Sequence, residues 1–204
     1  MTHRELLFKI SAVEEEILNC FKESTDIKDQ FVRENLSSLT AVIRKVARAL
    51  EEGNKILLFG NGGSAADAQH IAAEFVNRIS MERPPLPAVS LAADSSVLTS
   101  ISNDYSFSEV FAKQIKALGK VGDIAVGIST SGNSANIIRA FEVAREIGLI
   151  TVALTGNNGG AIAKTADYAL IAPSGKTPRI QELHITIGHV ICEMVEHLLF
   201  RVSV

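Results

Sequence analysis

Tryptophan is absent from this chain, and aromatic residues as a class are few: nine Phe and two Tyr among 204 residues. Stacking on a sugar or a base would have to come from Phe or Tyr, so sugar hydroxyls would be met mainly by polar side chains. Cysteine is scarce as well. Cys20 and Cys192 lie far apart inside helical patterns, which excludes a disulfide framework and points to reduced thiols in a cytoplasmic protein. Positive charge is not in excess either: 20 Lys and Arg against 23 Asp and Glu leave a net charge of −3 and a pI near 6.0. With no basic run, an electrostatic nucleic-acid surface is excluded, and a small-molecule partner is expected. The opening MTHRELLFKISAVEEEI carries charges through its apolar positions, unlike a signal peptide, and no uncharged run approaches a membrane span. Proline occurs five times, and its one dense piece, ERPPLP, reads as a connection. Repeats and low-complexity segments are missing. This length suits one α/β domain with a helical extension and is short for two independent domains.

What is present is organised around Asp123–Ala140, DIAVGISTSGNSANIIRA. The branched run Ile124–Ile128 has the length of a buried parallel strand, and Ser129, Thr130, Ser131, Gly132, Asn133 and Ser134 follow without a spacer. Asn133 or Ser134 can cap the helix that begins there. Such a loop presents free backbone N–H groups and a partial positive charge to an anion, phosphate being the natural guest. An ordinary capped turn uses the same residue types, but four hydroxyls around one glycine favour an oxyanion site.

Before this stretch, helical spacing is clear from Arg4 to about Glu23 (Leu6, Leu7, Ile10, Val13, Ile17, Leu18, Phe21) and from about Asp26 to Glu52 (Phe31, Leu36, Leu39, Val42, Ile43, Val46, Leu50), with Gly53 as C-cap. Two long helices exceed what one sheet face requires, so residues 1–53 are expected to serve a homo-oligomer. From residue 54 to 204, strands and helices alternate. Strands are expected at Lys55–Gly60, around Pro87–Leu91, at Ile124–Ile128, Leu149–Leu154 and Tyr168–Ala172. Helices are expected after the first strand in NGGSAADAQHIAAEF, then at Ser106–Leu118, Ser134–Ile147, Gly159–Thr165 and about Arg179–Phe200. The fold class is therefore α/β, a three-layer sandwich with a five-stranded parallel sheet flanked by helices and preceded by a helix pair.

Open parallel sheets bind ligands beyond the carboxyl ends of their strands. Four such ends carry polar loops: Gly60-Asn61-Gly62-Gly63-Ser64, Ala92-Ala93-Asp94-Ser95-Ser96, the STSGNS loop, and Thr155-Gly156-Asn157-Asn158-Gly159-Gly160. GNGGSA does not match G-x-G-x-x-G, no acidic residue ends the second strand to hold a ribose, and no Walker lysine is present. A sugar phosphate fits better than a nucleotide.

His70 and Glu74 stand four apart on the first of these helices and so project from one face, as a divalent-metal pair or as a base with its partner; a solvated pair is the bland alternative. RIQELHITIGH in the last helix offers Gln181, His184 and His189. Gln181 and His189 are about 80° apart around a helix and two turns along it, so either Gln181 precedes the regular helix or the site draws on more than one chain. His184 and His197 read as structural or surface histidines. Arg78 and the Asn103-Asp104 pair can bond sugar hydroxyls or balance a phosphate, or they are simply surface charge.

GNGGSAADAQHIAAEF, SNDYSFSEVF, GISTSGNSANIIRA, LTGNNGG and RIQELHITIGH, in this order and spacing, resemble the sugar isomerase (SIS) domain of the phosphoheptose isomerase family over essentially the whole chain. The central motif marks any SIS domain, whereas the first and last together are much more specific. The resemblance implies a cytoplasmic homotetramer with sites between subunits, converting sedoheptulose 7-phosphate to D-glycero-D-manno-heptose 7-phosphate on the way to nucleotide-activated heptose. It implies that Ser129, Thr130, Ser131 and Ser134 hold the phosphate, and that Asn61, Gly62, Gly63, Ser64, Arg78, Asn103, Asp104 and Gln181 line the substrate. Glu74 and His189 match the acid–base pair. His70, Glu74, Gln181 and His189 match a zinc site found in some members. One departure is Pro178, where some members carry a side chain able to touch the substrate; proline can neither donate nor accept there.

Carbonyl migration between C2 and C1 passes through an enediol. A carboxylate such as Glu74 can carry the carbon-bound proton, and an imidazole such as His189 can open the ring or move protons between the oxygens. Zinc would polarise the carbonyl. The rival from another class is a non-enzymatic homotetramer resembling DnaA initiator-associating protein, which lacks a histidine at the position of His189. A module that only senses a sugar phosphate would need no Glu74–His189 pair.

Overall fold

The computed structural model describes residues 3–201, with side chains from residue 12 onward. A 49-residue helix, α1 (His3–Glu51), leads into β1 (Ile56–Gly60), α2 (Gly63–Val76), β2 (Ala88–Ser90), α3 (Ser95–Asp104), a 3-10 turn at Phe107–Glu109 and α4 (Val110–Leu118). Then come β3 (Ile124–Ser129), α5 (Ala135–Ile147), β4 (Ile150–Thr155), the short α6 (Ile162–Thr165), β5 (Tyr168–Ile171) and α7 (Thr177–Phe200). All four strand pairings are parallel and the order is β2-β1-β3-β4-β5. The expected five-stranded parallel sheet between helical layers is present.

The strands sort their side chains by parity, because successive residues face opposite sides of a pleated sheet. Ile56, Leu58, Ile124, Val126, Ile128, Val152 and Leu154 pack toward α1, α2 and α7. Leu57, Phe59, Ala125 and Ala153 pack toward α4 and α5 on the other face, where Phe59 meets the Phe141 ring edge-on at 5.9 Å between centroids. Gly127 is required in that layer: a Cβ there would lie 2.7 Å from the Phe141 ring. Since β1 leads into α2 on one face and β3 into α5 on the other, neighbouring connections diverge between the carboxyl ends of β1 and β3.

The expected helix pair at the N-terminus is one continuous helix. Ser24-Thr25-Asp26 has the composition of a break, yet the Thr25 hydroxyl donates to the Phe21 carbonyl at 3.0 Å and Lys22 pairs with Asp26 one turn on. Groups that would have capped a new helix are satisfied within the old one. Leu6, Leu7 and Ile10 lie outside the described side chains. From Ile27 onward α1 is buried on β5 and α7, whereas Val13, Ile17, Leu18 and Phe21 are exposed, Phe21 to 73%. Leu36, expected on the buried stripe, is also exposed. Gly53 ends the helix with φ of 79°, its N–H donating to the Leu50 carbonyl and that of Asn54 to Ala49. The structure adds α3, whose start is capped by the Asp94 carboxylate accepting from Val97 N–H at 3.0 Å. Its run SSVLTSISND has too few strong apolar residues to advertise a helix.

α7 is long and apolar enough to span a bilayer, but its apolar side faces α1, α2 and the sheet through Ile180, Leu183, Ile187, Ile191 and Val195. Near its end lies a buried carboxylate, Glu196. It accepts from the N–H groups of Ile79, Ser80 and Met81, from the Ser80 hydroxyl, and from Arg83 Nε at 2.9 Å. Buried Arg83 in turn donates to the carbonyls of Glu74 and Phe75 at 2.9 and 2.7 Å, clamping the last turn of α2. Burial alone raises the Glu196 pKa, but the bonds from Ile79, Ser80 and Met81 outweigh it and hold the carboxyl at about 2. The stabilisation is therefore complete above the ordinary glutamate value of 4.5 and is lost as pH falls toward about 2. Glu196→Gln, which leaves Arg83 buried without its counter-charge, should cost about 3 kcal/mol at neutral pH. Thermal melts between pH 7 and 2 should show that difference shrinking on acidification.

Candidate active site

The β1–α2 turn is shaped by glycine. A Cβ on Gly60 would strike the Ser64 backbone at 2.6 Å, and Gly62 adopts φ of 54° just before α2. No side chain caps α2; the N–H groups of Ser64 and Ala65 donate instead to the carbonyls of Asn61 and Gly62, each at 3.0 Å, which closes the turn on itself. Ser64 is buried. Asn61 forms a reciprocal amide pair with Asn136 in the first turn of α5, at 3.0 and 2.8 Å. This pair ties the two diverging connections together. Sequence reasoning missed Asn136; its one signal is a polar residue on the otherwise apolar buried face of α5.

The hydroxyl loop folds as expected. Ser129 and Ser134 bond through their hydroxyls at 2.9 Å across its neck, Ser131 Oγ accepts from Asn133 N–H at 3.2 Å, and Thr130 and Ser131 stand partly open. Gly132 has φ of 67° and its backbone lies against Gly159 and Gly160, so only glycine fits. The Asn133 amide oxygen accepts from Ala161 N–H at 3.0 Å, docking the loop after β4 onto the loop after β3. Ser134 occupies the cap position of α5 but makes no capping bond with its side chain. The N-terminus of α5 is left without a side-chain cap, the arrangement an oxyanion needs.

Two turns along α2, three side chains converge. His70 Nε2 lies 2.9 Å from His189 Nε2 and 3.3 Å from Glu74 Oε1, and one ligating atom from each of the three falls within 4.8 Å of the others. The two imidazoles come from helices that run parallel in register: Gly63 abuts Gln181, Ile71 abuts Gly188, and His70 faces His189. Close approach depends on Gly188, where a Cβ would sit 2.5 Å from Ile71 Cδ1. At 2.9 Å the two nitrogens share one proton or turn both lone pairs on one cation. A nitrogen–nitrogen–oxygen donor set of this kind suits zinc.

Gln181 is not in this trio. Its amide fills the space beside Gly63 where a side chain would stand, seven residues and about 10 Å along α2 from His70. Asn103 and Asp104 bond to each other at 2.9 Å at the exposed end of α3, in the layer on the opposite sheet face. Arg78 is exposed just beyond α2 and pairs with Glu82 at 2.9 Å. Pro178 lies in the first turn of α7, where its missing N–H leaves no bond unmade. His184 is buried and donates through Nε2 to the Thr155 carbonyl at 3.0 Å; burial pushes its pKa down to about 4 against that bond, so it stays neutral and pins α7 to the end of β4. Asp67, on the same stripe of α2 as His70, was not singled out from sequence. Its Oδ2 is buried with no hydrogen-bond partner among the described residues, and burial raises its pKa although His70 and His189 pull it down.

The comparisons with known proteins decide the family. A SIS domain match spans residues 20–156. The chain is 55% identical over 190 residues to phosphoheptose isomerase of Thermodesulfovibrio yellowstonii, covering 93% of this chain and 94% of that one. This chain belongs to the phosphoheptose isomerase family. A second relative, the phosphoheptose isomerase of Aquifex aeolicus, is 52% identical, with 90% of this chain and 96% of the relative covered. Among solved structures, the phosphoheptose isomerase of Neisseria gonorrhoeae superposes with a TM-score of 0.85 at 43% identity, covering 90% of this chain and 98% of that chain. That of Francisella tularensis gives 0.87 at 37% identity, covering 91% and 98%. The SIS match stops short of α7, so the helix that brings His189 to His70 is carried by the likeness to phosphoheptose isomerases rather than by the general domain.

The seam between α2 and α7 is testable by wedging it. Gly188→Val should force Ile71 aside and move His189 off His70, destabilising the protein by about 2 kcal/mol, as overpacking does. Zinc affinity measured by chelator competition should fall at least tenfold, and Ile71→Ala in the same chain should restore part of it.

Proposed function

We propose that this family member is a sugar-phosphate isomerase that converts sedoheptulose 7-phosphate to D-glycero-D-manno-heptose 7-phosphate. The observation that carries the mechanism is the convergence of Glu74, His70 and His189, on a chain more than half identical to a phosphoheptose isomerase. In this scheme the phosphate rests on Ser129, Thr130, Ser131 and Ser134 and the free N–H groups of α5. The carboxylate of Glu74 takes the proton from C1 of the ketose. The C1–H electrons become the C1–C2 double bond, and the C2 carbonyl oxygen gains a proton to give the enediol. Glu74 then returns its proton to C2 as the O1 proton leaves and the C1 carbonyl forms. The His189 imidazole exchanges the O1 and O2 protons, so none is gained or lost overall. His70, Glu74 and His189, with Gln181 as the fourth ligand, would hold zinc, which would polarise the carbonyl; a lone pair that Glu74 or His189 gives to the ion is not free to take a proton, so ligation reduces their freedom as base and acid.

A cytoplasmic homotetramer is part of the proposal, with residues 1–53 as its assembly element. It is supported by the exposed Val13, Ile17, Leu18 and Phe21 stripe of α1, which has the character of a surface covered by another subunit. Gln181, Asn103 and Asp104, which lie away from the trio within one chain, would join it from neighbouring subunits, and Arg78, four residues beyond Glu74, would serve the same pocket. Both cysteines are free, as suits a reducing compartment, and burial pushes the Cys192 thiol up to about 12. An initiator-binding role finds no support in the relatives, which are named as isomerases.

Turnover of sedoheptulose 7-phosphate with direct detection of the aldose is the primary test. Glu74→Gln and His189→Ala should each lower kcat by at least about 10²-fold, as loss of a general acid or base does, with assembly by light scattering unchanged. Chelation should abolish product and zinc restore it; a folded tetramer yielding no aldose would refute the proposal.

A further inference from the structure

Four residues of α2, Gly63, Asp67, His70 and Glu74, fall within about 60° of arc at 100° per residue, forming one stripe along the seam with α7. Three have evident work: Gly63 makes room for Gln181, and His70 and Glu74 belong to the trio. Asp67 has none. Its Oδ2 is buried, and no N–H or hydroxyl among the described residues donates to it. Among the described residues, Asp67 is one of two whose side chain leaves a buried polar atom unpartnered, the other being His184. A buried carboxylate oxygen without a donor is costly, so in the working protein a donor comes from outside the chain.

Placement indicates which donor. The N-terminal end of α2 is tied through Asn61 and Asn136 to the helix start proposed to hold the phosphate, and the far end carries the trio proposed to act at C1 and C2. Asp67 stands between them, about 6 Å along the helix from Gly63 and about 10 Å from Glu74. A sugar chain with phosphate on C7 and carbonyl at C2 brings its C4–C6 hydroxyls to that middle position. Resting on the isomerase function above, we infer that Asp67 accepts a hydrogen bond from one hydroxyl on C4–C6 and is the side chain that reads the middle of the sugar.

The test is steady-state kinetics of the wild-type protein, Asp67→Asn and Asp67→Ala on sedoheptulose 7-phosphate and its 4-, 5- and 6-deoxy analogues. A hydrogen bond to a charged acceptor corresponds to about a 10- to 100-fold factor. Wild-type kcat/KM should fall by such a factor for one analogue. Asp67→Ala should lose a similar factor on the parent sugar, chiefly through KM, and lose nothing more on that analogue. The inference is overturned if no analogue is singled out by the wild type, a result that needs no variant to fold. It is overturned equally if the variants and the wild type lose the same factor on every analogue. Weakened zinc binding or a broken assembly in Asp67→Asn, with KM unchanged, would assign the carboxylate to the metal or to a subunit contact instead. Absence of wild-type turnover on the parent sugar would overturn the isomerase function along with this inference; turnover without an analogue effect overturns this inference alone.

Discussion

Two imidazole nitrogens 2.9 Å apart cannot both carry a proton, and much of the molecule serves to hold them at that distance. His70 and His189 lie 119 residues apart in sequence, on helices that meet only because both pack on the same sheet face. The contact tolerates no side chain at Gly188 and no other residue than glycine at Gly63 without displacing Gln181. Beyond it, the Arg83–Glu196 pair anchors the last turn of α2 and the segment after it to α7. Such a buried ion pair adds little net stability by itself, since desolvation offsets attraction, but it permits one arrangement of the groups it joins. Its fixed element is the turn that carries Glu74.

The second organising feature is the divergence of chain direction between β1 and β3. Parallel strands feed helices to opposite faces there, leaving two helix N-termini at one crevice. Neither α2 nor α5 spends a side chain on capping, and the hydroxyls of Ser129 and Ser134 bond to each other rather than to the helix. The Asn61–Asn136 pair keeps the two termini at a fixed separation. In the proposed function, anion recognition and carbonyl chemistry fall at different ends of α2, and the helix sets the span between them.

Part of this was legible without coordinates. The sheet and most helix positions follow from the period of apolar residues, because burial enforces period two in strands and 3.6 in helices. The STSGNS loop and the His70–Glu74 pair are local: a loop after a strand, two residues four apart. The break expected near Ser24-Thr25-Asp26 failed because Ser, Thr and Asp both cap helices and bond back within them, and only neighbouring turns determine which. α3 escaped notice because its residues bury little apolar surface. Asn136 and Asp67 escaped because a polar residue on a helix face carries no mark of its partner, or of the lack of one.

The sequence by itself determined the alternation of strands and helices, the anion loop, the glycine turns and the set of groups able to act on a sugar phosphate, all being properties of residues close together in the chain. Its motifs also determined the family resemblance. Only the tertiary structure decided that His189 joins His70 and Glu74 while Gln181 stops two turns short, that α1 is one helix, and that one carboxylate oxygen of Asp67 is buried with no donor among the described residues. Those outcomes depend on the register between α2 and α7 and on which face each element covers. Register is set by packing across the whole sheet, which no local stretch of sequence contains.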